Sequence, residues 1–307
     1  MSSALVIGYG SIGRRHSEVL RSMGVNVSVV SRHLRDADFP VYPDIDSAFA
    51  AASFDYVVVA TPTAEHCNTL SRLSRHVAPD DVVLCEKPLF AHLTGEMPVL
   101  EATIFVGYVL RAHPLLRKIR DITTGKRLFS CSCSCGQYLP EWRPGTDYRK
   151  SYSASKIAGG GALRDISHEL DYLQMIAGTW TSVCALGGKV SDLEIDSDDQ
   201  FGLLFTTENC PLCECHVDYL SRCVHRDLRI EFEGGTLHLD FVAGVLKFND
   251  EIYHVKLERN DMFRTMHAEV LSRDATYLAG IDDAVSTMRL IEAAEISARE
   301  KKWIKNR

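Results

Sequence analysis

Up to about residue 120 the chain alternates between short apolar runs and stretches of helical spacing. Ala4–Ile7, Val25–Val30, Tyr56–Ala60 and Val82–Cys85 are apolar along nearly their whole length. Between them, Gly13–Met23, Ala48–Ala52 and His66–Ser74 carry helical patterns. A strand apolar at every position is buried on both faces, so the alternation predicts an α/β Rossmann-type parallel sheet covered on both sides by helices.

Beyond that point strand-like runs follow one another: 128–138, 182–190, 201–206, 212–219, 228–232, 236–241 and 252–257. Gly234-Gly235 marks a hairpin turn between two of them. Helical spacing interrupts the series at Ala162–Ile176 and closes it at about Asp282–Glu300. This pattern predicts an α+β domain with a large, mostly antiparallel open sheet. The expected division is residues 1–120 and 121–307, with the last helix packing back on the first domain.

The length of 307 residues gives room for these two domains. A formal net charge of −7 argues against nonspecific attraction to nucleic acid or anionic membranes. No apolar run reaches the roughly 18 residues of a membrane span, and Ala4–Ile7 is too short for a signal-peptide core, so a cytoplasmic protein is expected.

Gly8-Tyr9-Gly10-Ser11-Ile12-Gly13 follows the first strand and opens a helix. In that context G-x-G-x-x-G predicts a dinucleotide site, with the pyrophosphate on the helix N-terminus. The second strand ends in Val30-Ser31-Arg32 with no acid. An acid there would hold the ribose hydroxyls of NAD and repel a 2′-phosphate, whereas Ser31 and Arg32, with Arg35 as a second candidate, suit that phosphate. NADP is therefore the expected cofactor, with NAD as the alternative. Thr61-Pro62 and His66 follow the third long strand, and Glu86-Lys87-Pro88 the fourth. Both segments fall where carboxyl ends of parallel strands meet a cofactor crevice, and Glu86 and Lys87 bring charge to it.

After Gly159-Gly160-Gly161, the helical run places Leu163, Ile166, Leu170, Leu173 and Ile176 on one stripe. Asp165, His168 and Tyr172 fall on a neighbouring face, three and four residues apart, an acid/base candidate. The segment Tyr138–Tyr152 combines aromatic rings with Arg and Asp. Tyr138, Trp142 and Arg149 are its substrate candidates, since rings stack on sugar faces and arginine takes anions.

The ten cysteines include two runs. Cys131, Cys133 and Cys135 alternate with serines, which puts them on one strand face. Cys210, Cys213 and Cys215 form C-x-x-C-x-C, with no matching C-x-x-C pair elsewhere. They are read as strand cysteines, and no metal is expected.

Taken in order, these pieces resemble the glucose–fructose oxidoreductase/inositol dehydrogenase (Gfo/Idh/MocA) family over nearly the whole length. Carrying the resemblance are Gly8–Gly13 with Arg14-Arg15-His16, Thr61-Pro62 with His66, Glu86-Lys87-Pro88, Gly107-Tyr108 with Arg111 and His113-Pro114, Gly159–His168, and the final helix near Leu290–Ala298. The resemblance implies an NAD(P)-dependent oxidoreductase whose second domain holds a sugar or nucleotide sugar beside the nicotinamide and mediates homo-oligomerisation, as a dimer or tetramer. It implies that Lys87, His168 and Asp165 face the reacting carbon, with His168 as acid/base. Arg111 is a further substrate candidate.

The chain departs from the family pattern in three places. Asp165 and His168 are one residue closer than usual, Val109 stands where asparagine is usual, and the stretch from Pro88 to Gly107 is short. Two other readings stay open: a reductase of another carbonyl or imine, and a non-catalytic NADP-binding sensor.

Overall fold

The computed structural model describes residues 2–34, 37–93 and 97–306 and divides into two compact units. The first comprises residues 1–112 and 258–282. Its sheet is built from β1 (Ser3–Ile7), β2 (Asn26–Val30), β3 (Val41–Tyr42), β4 (Tyr56–Val59), β5 (Val82–Cys85), β6 (Thr103–Val106) and β15 (Ala279–Gly280), in the order β15-β6-β5-β4-β1-β2-β3. All neighbours are parallel except β15, which runs antiparallel to β6. Every residue of β4 and β5 is buried, as their unbroken apolar sequences require. Each such Val or Leu contributes about 1.5–3 kcal/mol relative to exposure.

The helices of this unit are α1 (Ser11–Ser22), α2 (Ile45–Ala51), α3 (His66–Leu73) and α7 (Asp261–Ser272). α7 adds Phe263, Met266 and Val270 to the core around Ala4, Val6, Leu84 and Phe105. Its buried stripe is Phe263, Met266, His267 and Val270, at regular helical spacing with only the histidine polar, and no helix is expected there from the sequence.

The second unit comprises residues 113–257 and 283–307. The segment returning to the first unit is thus α7 with β15, and the second unit opens with α4 (Pro114–Thr123). The last helix, α8 (Ile281–Glu300), belongs to the second unit from Asp283 onward. The nine-stranded sheet comprises β7 (Leu128–Gly136), β8 (Trp180–Gly188), β9 (Gln200–Thr207), β10 (Cys213–Asp218), β11 (His225–Phe232), β12 (Gly235–Asp240), β13 (Val245–Phe248), β14 (Glu251–His254) and β16 (Ile304–Lys305). Their order is β14-β13-β12-β11-β7-β10-β9-β8-β16, and among the described residues β7–β10 is the one parallel pair. The alternation in β7 is realised: Cys131, Cys133 and Cys135 are buried, and the intervening serines are half-exposed.

One expected helix is two. α5 (Ala162–Asp165) ends at Ile166, and α6 (His168–Ala177) starts after Ser167. The short helix is pinned from several sides. Ala162 N donates to the Asp198 carbonyl at 3.0 Å, and Leu163 N to the Asp198 carboxylate at 2.9 Å. Buried Arg164 pairs with Glu295 of α8. These anchors fix α5, and the chain turns at Ile166-Ser167 before α6 follows the apolar stripe.

Candidate active site

In the first unit, register collects the sequence signals along one edge. Ile7 pairs with Val30 and Val59, Val59 with Cys85, and Cys85 with Val106. Gly8, Ser31, Thr61, Glu86-Lys87 and Gly107 follow close after these residues, so they line the carboxyl edge of the parallel strands, where open α/β sheets bind ligands. Gly8 has φ +97°, and a Cβ there would lie 2.6 Å from the Ala60 carbonyl oxygen. Any side chain at this turn is therefore excluded. Gly10, the N-cap of α1, has open space where a Cβ would stand. It offers no side chain to accept from the first-turn N–H groups, and that turn contains no acid. Ser11, Ile12 and Gly13 thus open a helix whose positive end suits a pyrophosphate, and the residues present fit a dinucleotide.

Behind Lys87 lies a buried hydrogen-bonded chain. Tyr56 Oη and His267 Nδ1 are 2.7 Å apart, His267 Nε2 and His16 Nδ1 2.9 Å, and His16 Nε2 and Glu86 Oε1 2.9 Å. One proton order satisfies all three contacts: Tyr56 donates to His267, His267 to His16, and His16 to the Glu86 carboxylate, with both imidazoles neutral. Burial, then neighbouring His16, pushes His267 well below the usual histidine range. Burial, then Glu86, pushes the Tyr56 phenol up. Glu86 Oε2 also accepts from Lys87 N at 3.2 Å. Glu86 is thus held by His16 and by the Lys87 backbone, which fixes the Lys87 segment. Lys87 itself is half-buried.

In the second unit, Asp165 closes α5 and His168 opens α6. The Tyr219 hydroxyl donates to Asp165 Oδ2 at 2.6 Å, and Tyr152 also hydrogen-bonds Asp165. Burial, reinforced by Asp165, raises both phenols above their ordinary range. His168 is half-buried. Next to it Glu169 is fully buried and pairs with Arg226 at 2.8 Å, which anchors the first turn of α6. The expected single face for Asp165, His168 and Tyr172 is corrected by the break at Ile166-Ser167.

Two models of one family match the chain. The oxidoreductase-family, NAD-binding Rossmann-fold model matches residues 3–103, and the Gfo/Idh/MocA C-terminal domain model matches residues 121–238. The chain belongs to the Gfo/Idh/MocA family. It is 23% identical to inositol 2-dehydrogenase of Rhizobium meliloti, covering 97% of each protein. Among solved structures, a myo-inositol dehydrogenase from Corynebacterium glutamicum superposes with a TM-score of 0.80 at 20% identity, covering 100% of this chain and 99% of the other. The WlbA dehydrogenase of Bordetella pertussis, solved with NADH and UDP-GlcNAcA, gives 0.78 at 17% identity, covering 99% and 98%. These likenesses confirm the fold, and the family membership makes the chain an NAD(P)-dependent oxidoreductase.

Within this Gfo/Idh/MocA chain, several residues expected at the ligand sites have other work. His66 is buried, its Nε2 3.0 Å from the Thr61 carbonyl and its Nδ1 3.0 Å from that of Leu89. It ties the Thr61-Pro62 turn to the segment after Pro88, and burial lowers its pKa despite those carbonyls. Tyr172 is fully buried against Phe241, with Cys133, Glu169 and Arg226 around it, a core group of the second unit and not a substrate-facing one. Arg111 is buried and donates to the Leu278 carbonyl at 3.3 Å, tying β6's end to the returning segment. Arg149 is exposed and held by Asp147 at 2.8 Å and Glu194 at 3.2 Å, so its charge is already answered. Tyr138 lies under Arg222, whose guanidinium sits 3.4 Å from the ring centre. Trp142 packs edge-on against Tyr219 at 5.0 Å and donates to the Gln137 carbonyl.

At the NADP-discriminating position, Arg32 is exposed and 3.9 Å from Glu65. Ser31 Oγ accepts from the backbone N–H groups of His33 and Leu34. Arg35 lies outside the described residues.

Tyr219 and His267 carried no recognisable sequence signal. Each acts through a partner distant in the chain, and only the fold supplies that partner. His16 was visible as part of Arg14-Arg15-His16, but its link to Glu86 was not.

Proposed function

We propose that this chain is an NADP-preferring oxidoreductase that moves a hydride between the nicotinamide and a sugar or nucleotide-sugar hydroxyl or carbonyl, as in surface-polysaccharide or acidic-sugar metabolism. The observation that carries the reading is the carboxyl edge of the first sheet. Gly8–Gly13, Ser31-Arg32, Thr61-Pro62 and Lys87 stand along it, with no acid at the end of β2. When bound, the nicotinamide supplies the hydride acceptor or donor. Ser11, Ile12 and Gly13 hold the pyrophosphate by backbone N–H groups, and Arg32 with Ser31 takes the 2′-phosphate, Arg32 exchanging Glu65 for it.

The chemistry falls to Lys87, His168 and Asp165. His168 takes the hydroxyl proton in oxidation and returns it in reduction, for which an imidazole suits neutral pH. The Lys87 ammonium polarises the same oxygen and favours developing negative charge. Asp165, fixed by Tyr219 and Tyr152, orients the substrate hydroxyls. The sugar class is supported by the relatives: inositol is named for two of them, and UDP-GlcNAcA is bound to WlbA. The open face of the second sheet exposes Leu186 and Leu204 and serves as the contact surface of a homodimer or homotetramer.

The test is reduction of NADP and NAD against a panel of cyclic polyols, sugars and nucleotide sugars. Turnover with one of them, faster per bound cofactor with NADP, supports the reading. Tight NADP binding without turnover on any sugar, carbonyl or imine favours the sensor reading, to which Val109 gives a specific basis. It packs against the apolar core and offers no polar group.

A further inference from the structure

The two cysteine runs, separate in sequence, meet in the second unit. The parallel register of β7 and β10 sets Cys131 beside Cys213. Cys210 lies in the turn between β9 and β10, and its Sγ joins theirs. All three sulfur atoms lie within 4.8 Å of one another, and all three residues are buried. Thiolate ligands at a bond length of about 2.3 Å stand roughly 4 Å apart around a shared ion, so the cluster is already at ligating spacing.

The turn that carries Cys210 is held by its own hydrogen bonds. Thr207 Oγ1 accepts from Cys210 N at 3.1 Å and donates to the Ala177 carbonyl at 2.6 Å. Thr207 N donates to the Cys210 carbonyl at 3.0 Å. Cys131 N and Cys210 Sγ both donate to the Leu212 carbonyl, at 3.0 and 3.3 Å. Cys210 is thus fixed toward Cys131 by contacts that do not depend on an ion. Glu208, Asn209, Pro211 and Leu212 are exposed, so the turn is also the route from solvent to the sulfurs.

From this geometry we propose that Cys131, Cys210 and Cys213 form a three-coordinate thiolate site for a soft monovalent ion of the copper(I) class. Sulfur ligands select soft ions. Structural zinc sites close with four ligands, and among the described residues no fourth His, Cys, Asp or Glu joins the group. Three sulfurs in a buried setting match the lower coordination number of copper(I). On binding, the three thiols release their protons to solvent and three S–Cu bonds form, with no change in oxidation state. The ion ties the β9–β10 turn to β7. The sequence-based expectation of no metal rests on the lack of a second C-x-x-C pair; in this proposal the third sulfur comes instead from β7.

The test uses the full chain, reduced with a phosphine and titrated with copper(I) from a competing chelator, in parallel with zinc(II). The expected result is about one copper per chain, an ultraviolet sulfur-to-copper charge-transfer band, and protection of three thiols from alkylation. Altering groups that merely support metal ligands costs about 10–100-fold in affinity, so Cys210→Ser should weaken copper binding by at least that. Cys210 sits in a turn, so this variant disturbs the sheet least. Cys223→Ser, at an exposed thiol outside the cluster, should leave affinity unchanged. Equal copper affinity in wild type and Cys210→Ser would overturn the site. So would zinc retained in preference to copper, or a Cys210–Cys213 disulfide in place of a bound ion.

Discussion

The Tyr219 hydroxyl donates to Asp165 Oδ2 across 2.6 Å, joining the end of β10 to the last residue of α5. That length is typical of a hydrogen bond to a carboxylate. Trp142 packs on the same tyrosine, so the aromatic segment reaches Asp165 both through Tyr219 and directly through Tyr152. Tyr219→Phe should lower stability by about 1.5–3 kcal/mol, the range for a hydrogen bond to a charged group, and should reduce turnover by loosening Asp165. Urea unfolding and steady-state kinetics measure both. Unchanged stability and turnover would show that this bond does not hold Asp165.

Arg32 is expected to discriminate between cofactors. Arg32→Ala should cost roughly 1–3 kcal/mol in NADP(H) binding, the scale of a lost charge-assisted bond, and leave NAD(H) nearly unchanged. Glu65→Gln should strengthen NADP(H) binding, because it removes the competing carboxylate 3.9 Å away. Equal losses for both cofactors in a fluorescence titration of Arg32→Ala would remove it from the phosphate site.

For the chemical step, His168→Ala should depress turnover by about 10²–10⁴ with NADP(H) affinity intact, as loss of a general acid/base does. Lys87→Ala should act in the same direction, because its charge helps an alkoxide-like transition state more than the ground state. Near-wild-type turnover in both variants would mean that the chemistry is placed wrongly.

Two opposed titrations govern the second unit in mild acid. Burial, then Arg226, holds His113 down at about 4, from an ordinary 6.5. The unfolded chain takes that proton first, so this group's contribution to stability falls as pH drops from 6.5 to about 4. Burial pushes the Asp198 carboxyl up to about 6, from 3.8. Here the folded unit takes the proton first, so its contribution rises as pH drops from about 6 to 3.8. Each amounts to about 3 kcal/mol, and together they nearly cancel. Asp198→Asn should therefore lose stability on acidification, and His113→Asn should gain it. All three tryptophans, Trp142, Trp180 and Trp303, lie in the second unit, so their emission in urea follows its unfolding alone. Parallel pH profiles for the two variants would contradict the assignment.

Local periodicity by itself determined the strands β1, β2, β4 and β5, the glycine cradle and the alternation of β7, because each depends on neighbours in sequence. A strand buried on both faces must be apolar throughout, and a turn with φ +97° packed against Ala60 must be glycine. Tertiary structure decided what those elements meet. It returned α7 to the first unit and so placed His267 against His16. It fixed α5 against Asp198 and Glu295, which broke a helix whose spacing ran on unbroken. It set Cys131 beside Cys213 and Cys210. In each case the partners are separated by tens to hundreds of residues, and the chain between them carries no local mark of the contact. The contact arises only when buried faces pack and their polar and sulfur atoms must find partners within the core.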